Sequence, residues 1–355
     1  MSDAAPGMPA KLAAELAAAF GAFEILSPTS FSFAGEPPVD AASAAARHLW
    51  AAPPAAAVET GSEGLLSKAI QATLYDRCYA HRLGEARVES AGPHAEDSVF
   101  ARSLAEANAS RERWDPGWVV YQWGQNGQAF VRKGDRERIA MPGAFISDAL
   151  PGMTTQIGAA VRVRAPREAL GLQPGYYFAF GETLDELAEQ LSLVRFYFHC
   201  GADCAPDLLA ALTRELNRFQ VPFQVKAPLS PARYGRTDAI VLYAGARFFA
   251  IVARILAEVE ESFALEPSVP LFTKRLWPGI GVAVEPGTGE SFGSHRCRLA
   301  ATGIVDAWLD GKRETPARLA AVAARFTAAG LDLARPYLGV GWVDLFAPPA
   351  PQLLP

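Results

Sequence analysis

The order of segments along this chain predicts an α+β fold: an antiparallel or mixed sheet covered by helices, preceded by a mainly helical N-terminal region and a small β meander. Two textures point to it. Up to about residue 110 apolar residues recur at helical spacing, whereas from about residue 155 short aromatic and β-branched runs alternate with amphipathic stretches. Composition agrees, since 355 residues that are 50% hydrophobic and 20% charged carry enough apolar material to offset chain entropy. The expected organisation is a helical region over 1–110 with a possible role in peptide recognition, a β connector over 111–154, a catalytic layer over 155–335 and a Pro-rich tail over 336–355.

Within the first region, residues 11–23 (KLAAELAAAFGAF), 41–52 (AASAAARHLWAA) and 62–82 read as helices, the last with Leu65, Ile70, Leu74 and Cys78 on one stripe. Residues 114–141 change character. Aromatic and β-branched alternation broken by Gly, Asn and Asp predicts two or three strands, with Trp114, Trp118 and Trp123 as core residues. Strands follow at 159–166, 175–181, 194–200, 222–228, 238–245 and 279–286. Helices fall between and after them: 183–192 with a Thr cap, 205–220 with an early Pro, 246–263, 295–311, and 316–330 stopped by Gly330.

The balance of 38 acidic and 33 basic side chains, a net charge of -5, argues against nucleic acid or an anionic membrane as a whole-protein partner. An anionic substrate needs a local basic cluster. Four cysteines, Cys78, Cys200, Cys204 and Cys297, are too few for a disulfide framework, and no signal peptide or spanning run is legible. A cytoplasmic setting is expected. His199, Cys200, Cys204, His295 and Cys297 lack the spacing of a zinc site, because His199 and Cys200 are adjacent on a strand and point apart. No metal and no cofactor are expected. The Gly-rich run 287–293 lacks the Lys-Ser/Thr ending of a P-loop, which argues against a nucleotide kinase.

Successive strand side chains point to opposite faces, so parity sorts the three best strands. Arg195, Tyr197 and His199 share one face against Val194, Phe196, Phe198 and Cys200; Gln224 and Lys226 oppose Phe223 and Val225; Tyr243 opposes Leu242. One sheet face is then apolar and covered by helices, while the other carries Arg, Tyr, His and Lys. Arg233 and Arg236 extend the basic cluster into the adjoining loop.

These residues carry a resemblance. The strings PREALGLQPGYYFAFGE (166–182), NRFQVPFQVKAPLSPARYGRTDAIVLYA (217–244) and VPLFTKRLWPGIGVAVEPGTGESFGSHRCRLAA (269–301) resemble the Hop-A type III effector family of plant pathogens. Relatives of that family occur as stand-alone lyases in class V lanthipeptide and thioamitide biosynthesis, and the order of His, Lys, Arg and Tyr is distantly similar to bacterial phosphothreonine lyase effectors. The resemblance spans roughly residues 155–310. It implies a phosphothreonine-lyase-like sheet and β-elimination of phosphate from phosphoserine or phosphothreonine, giving dehydroalanine or dehydrobutyrine. The partner it implies is a phosphorylated precursor peptide, prepared by a separate kinase.

Under that resemblance Lys226 is the expected general base, because burial and nearby cations lower an amine's pKa towards neutrality. His199 is the expected general acid, with His295 as its rival. Tyr243 orients the phosphate or holds the enolate-like oxygen. Arg195, Arg233, Arg236, Lys274 and Arg296 are the expected phosphate contacts. Arg167 stands where many relatives have Lys and is a further phosphate candidate, and Glu285 is read either as the holder of a clamp arginine or as a turn carboxylate. A non-catalytic peptide-binding or type III effector role of the same family is the alternative, and a lyase acting on a host signalling kinase a third reading.

Overall fold

The computed structural model describes residues 7–46, 62–84, 96–148, 154–184 and 190–348. It is an α+β fold built around three antiparallel sheets, of which the largest has seven strands. In chain order that sheet comprises β9 (Glu168–Ala169), β10 (Tyr176–Phe180), β11 (Leu193–Phe198), β12 (Phe223–Pro228), β13 (Ile240–Gly245), β14 (Lys274–Trp277) and β15 (Ile280–Val284). Across the sheet they lie in the order β14-β15-β11-β13-β12-β10-β9.

Parity decides what each face buries. Val194, Phe196, Phe198, Val225, Leu242 and Val282 form one apolar face against α5 (Ala205–Arg218) and α6 (Phe249–Ser262). Pro206 opens α5, where its missing N–H is harmless, and Leu208, Leu209, Leu212 and Leu216 recur at helical spacing to meet the sheet. The opposite face is divided. Tyr197, Val241 and Ala283 lie under a second core made by α1 (Ala10–Gly21), α3 (Ser62–Leu74), α7 (Phe292–Leu309) and α8 (Thr315–Ala328). The fully polar face expected from parity is therefore only half open, and the part left accessible lies over β11, β13, β12 and β10.

Close helix contact explains two glycines. A Cβ at Gly303 of α7 would come within 2.6 Å of the Val322 backbone of α8, and one at Gly293 within 2.4 Å of the Tyr79 ring. Gly330 takes a φ of 71° just past α8, which ends that helix as its sequence predicts.

Several elements differ from expectation. The N-terminal region is not purely helical: β1 (Phe23–Ser27), β2 (Ser30–Phe33) and β3 (Val39–Asp40) form a small sheet whose Phe23, Phe31 and Phe33 join the second core. The signal was short alternation in FEILS and SFSF, masked by the surrounding alanines. Of the 41–52 helix only α2 (Ala41–Ala46) lies within the described residues, and residues 185–189 of the 183–192 helix lie outside them. The 62–82 helix changes pitch after α3, with Tyr75–Tyr79 forming a π-turn closed by Ala80 N–H donating to Tyr75 O at 2.8 Å. Its buried stripe runs through Leu66, Ile70 and Leu74, with Leu65 only half-buried.

The meander has five strands: β4 (Arg113–Trp123), β5 (Ala129–Lys133), β6 (Arg136–Ala140), β7 (Phe145–Ser147) and β8 (Ala160–Ala165). The 159–166 strand, expected in the catalytic layer, is β8 and pairs with β4. Trp118 is buried with its Nε1–H donating to Asp115 at 2.6 Å, whereas Trp114 is 41% exposed. Helix α4 (Ser98–Ala107), capped by Asp97, leads into this sheet and packs on α5. Strand β14 was missed because KRLW is too short to show a period.

Residues 336–348, expected as part of the Pro-rich tail, form no helix or strand but pack into the fold. Leu338 and Phe346 enter the first core, and Val284 N–H donates to Tyr337 O at 2.8 Å. No helix among the described residues is long and apolar enough to cross a membrane. Those residues hold no cluster of three metal-ligating side chains, and the four cysteines are unpaired.

Candidate functional site

Register brings the open half of the polar face together from four strands. Arg195 pairs with Tyr243, Tyr243 with Gln224, and Gln224 with Phe180; two residues along, Val241 pairs with Lys226 and Lys226 with Phe178. Paired residues share a face, so Arg195, Tyr243, Gln224 and Lys226 form one contiguous patch. Tyr176 of β10 completes it. The Lys226 Nζ lies 3.8 Å from the centre of the Tyr176 ring, and the Arg233 guanidinium lies 4.4 Å from the same centre.

The three arginines of the patch are held differently. Arg233 is buried, donating to Gly175 O at 3.2 Å and to the Tyr176 hydroxyl. Arg236 grips Asp238 through two hydrogen bonds of 2.8 and 2.9 Å and reaches the Tyr75 hydroxyl at 3.3 Å. Arg195 is ion-paired with Glu285, and its guanidinium sits 5.1 Å from the centre of the Tyr243 ring. Of the two expectations for Glu285, the structure shows it holding Arg195.

Lys226 makes no ion pair among the described residues. Burial and then the charge of Arg195, with Arg236 and Arg233 adding and Asp238 opposing, bring its pKa down to about 7. A half-buried amine surrounded by guanidinium groups is thereby available in its neutral form near neutral pH. Burial raises the Tyr243 pKa, so its hydroxyl stays protonated as a hydrogen-bond donor. Burial works to raise the Asp238 pKa as well, but Arg236 more than offsets this and keeps the carboxylate ionised.

His199 follows β11 on the same face. Two strand spacings and two residues place its Cα about 12 Å from that of Lys226, and its Nδ1 is 2.9 Å from the Ser268 hydroxyl. The other expected residues lie elsewhere. Arg296 is 1% exposed and committed to backbone, its Nε donating to Pro336 O and Nη2 to Leu338 O, both at 2.7 Å. Its Nη1 is 2.6 Å from His295 Nδ1, and burial followed by the charge of Arg296 and Arg298 lowers the His295 pKa to about 4. His295 is therefore neutral at physiological pH and unsuited to proton donation, which corrects its reading as a rival acid. Lys274 on β14 is paired with Asp344 at 2.8 Å. Arg167 donates to Ala105 O and Asn108 O at the end of α4. Arg296, Lys274 and Arg167, expected among the phosphate contacts, are held by these other parts of the fold and do not join the Lys226 patch.

Three members of the patch were not foreseen. Tyr176 shares its strand face with Phe178 and Phe180, so parity of GYYFAFG held the signal. Asp238 follows Arg236 by two residues in a loop, where spacing says little about pairing. Tyr75 comes from the π-turn, and no local pattern connects it to residue 236.

Residues 168–338 match the model of the HopA1 effector protein family, somewhat under half of the chain. Two solved structures are also similar: the effector protein from Pseudomonas syringae pv. tomato strain DC3000, at 15% identity and a TM-score of 0.41, and the effector protein from Pseudomonas syringae pv. syringae strain 61, at 14% identity and the same TM-score. Each likeness covers 84% of this chain and 98% of the other. No curated protein matches the sequence.

Proposed function

We propose that the HopA1-like segment, residues 168–338, houses a phosphopeptide lyase centred on Lys226. The observation that supports this reading is a half-buried lysine with no ion pair among the described residues, with its pKa lowered to about 7 and three arginines around it. Neutral Lys226 takes the α-proton of a phosphoserine or phosphothreonine residue. The released electron pair forms the Cα=Cβ bond as the Cβ–O bond breaks, and phosphate leaves with the bridging oxygen. Arg195, Arg233 and Arg236 neutralise the departing dianion, and the Tyr243 hydroxyl donates to the carbonyl oxygen where charge builds. His199, on the same face, is the proposed donor to the leaving oxygen. A reaction of this type calls for no metal. The substrate class is a phosphorylated ribosomal precursor peptide of a lanthipeptide-type pathway, prepared by a separate kinase.

Incubation with a phosphothreonine peptide is expected to release inorganic phosphate and leave a dehydrobutyrine that a thiol can trap. A Lys226→Ala variant that eliminates at the full rate would sink the assignment of the base. The match to the HopA1 effector protein family fits a second reading, an effector that binds a peptide without reacting. Tight phosphopeptide binding with no phosphate released would select it.

A further inference from the structure

A groove of about 910 Å³ is bounded by α1, Cys78 and residues 81–83 at the end of the Tyr75–Tyr79 turn, residues 267–275 and residues 334–337. That is near the upper end of the ~300–1,000 Å³ range of small-molecule pockets and larger than a single phosphate group requires. Its floor is apolar, with Leu12, Val269 and Leu271 among its residues. Its rim is basic. Lys11, Arg82 and Arg275 line it, are exposed, and make no ion pair among the described residues, while Glu15 is the acidic residue facing them. On a protein of net charge -5 this is a local inversion of sign.

We propose that this groove binds an acidic, extended segment of the substrate peptide, remote from the phosphorylated residue; the proposal rests on the lyase reading. Charge complementarity selects the occupant, and the position of β14 adds to it. This strand is outermost in the seven-stranded sheet, so its outer edge has no strand partner among the described residues and suits an extended chain. Register sets the spacing. Arg275 pairs with Gly281, Gly281 with Tyr197, Tyr197 with Val241 and Val241 with Lys226. Four strand spacings put Arg275 about 19 Å from Lys226 on the same face, or about six extended residues. Tyr79 and Phe292 cover Tyr197 between them, so the peptide passes around the turn and six residues is a minimum.

The test uses the full chain and two labelled, unphosphorylated peptides, one with an Asp/Glu tract and one with Asn/Gln in its place. The acidic peptide is expected to bind at least ten-fold more tightly at low salt, and the double variant Lys11→Glu, Arg275→Glu to erase the difference. Equal affinity for both peptides, or no response to the charge reversal, overturns the proposal. In turnover, a phosphothreonine peptide with the tract six or more residues away is expected to show a lower KM at unchanged kcat, an advantage the double variant loses. Elimination with the same KM with or without the tract overturns the groove while leaving the lyase intact. Charge-dependent binding with no phosphate released from any peptide supports the groove and defeats the lyase. Tighter binding to anionic phospholipid vesicles than to the acidic peptide, lost in the same variant, overturns the proposal in favour of a membrane surface.

Discussion

The Lys226 ammonium position and the Tyr176 ring face one another at 3.8 Å, and the Arg233 guanidinium shares that ring. The ring attracts both cations, which repel one another. Arg233 cannot lose its proton, so its charge adds, behind burial and Arg195, to the lowering of the Lys226 pKa.

The first expectation concerns rate and pH. The base works only when neutral, so the rising limb of the kcat/KM profile should have its midpoint near pH 7, the value to which burial and Arg195 lower Lys226, with a falling limb beyond it where the acid has lost its proton. Lys226→Arg keeps the charge and cannot yield a proton acceptor. It should lower the rate at least a hundred-fold across the whole profile.

Stability should respond in the complementary direction. The folded-state pKa of Lys226 lies below its unfolded value of 10.5, so the folded protein gains stability as pH rises from about 7 to that value. Below pH 7 both states carry the charge and the folded one bears the full penalty. Lys226→Met should therefore raise the Tm most at pH 6 and progressively less towards pH 10, measured by thermal denaturation across that series.

Tyr176→Phe separates the ring from its hydroxyl. The ring under Lys226 stays, so the pH midpoint should hold, while Arg233 loses the hydroxyl it donates to. A several-fold rise in KM for the phosphopeptide with little change in kcat is expected. A shifted midpoint with unchanged KM would contradict this division of roles.

Asp238→Asn removes the carboxylate that neutralises Arg236 and opposes the lowering of the Lys226 pKa. The rate midpoint should move below pH 7. Leaving Arg236 buried without its partner should also cost about 3 kcal/mol of stability, read from urea denaturation.

Arg296→Met tests an anchor. Its loss leaves Pro336 O and Leu338 O without their donor, an effect of about 1–3 kcal/mol, and should expose the 336–348 segment to limited proteolysis. The KM of the folded enzyme is expected to stay unchanged, which a phosphate contact would not permit.

Alternation in VRFYFHC, PFQVKAP and DAIVLYAG made the central sheet and its two faces legible, because in an antiparallel sheet parity alone assigns Arg195, Lys226 and Tyr243 to one side. It said nothing about what lies over that side. Tyr197 has the same parity as Lys226 yet is buried beneath α7, since coverage depends on contacts between residues far apart in the chain. Arg296 and Lys274 misled for a related reason: a cation's sequence neighbourhood does not reveal whether backbone carbonyls or Asp344 have already taken its hydrogen bonds.

The π-turn at Tyr75–Tyr79 holds one residue more than an α-helical turn of the same span. Its Tyr75 end meets Arg236 beside Lys226, and the residues just beyond it, His81 and Arg82, line the groove. The extra residue acts as a phase marker between two recognition surfaces. Deleting one residue here would advance everything on one side of the turn by about 100° of helical rotation, so that the patch and the groove could no longer both be in register with one bound chain.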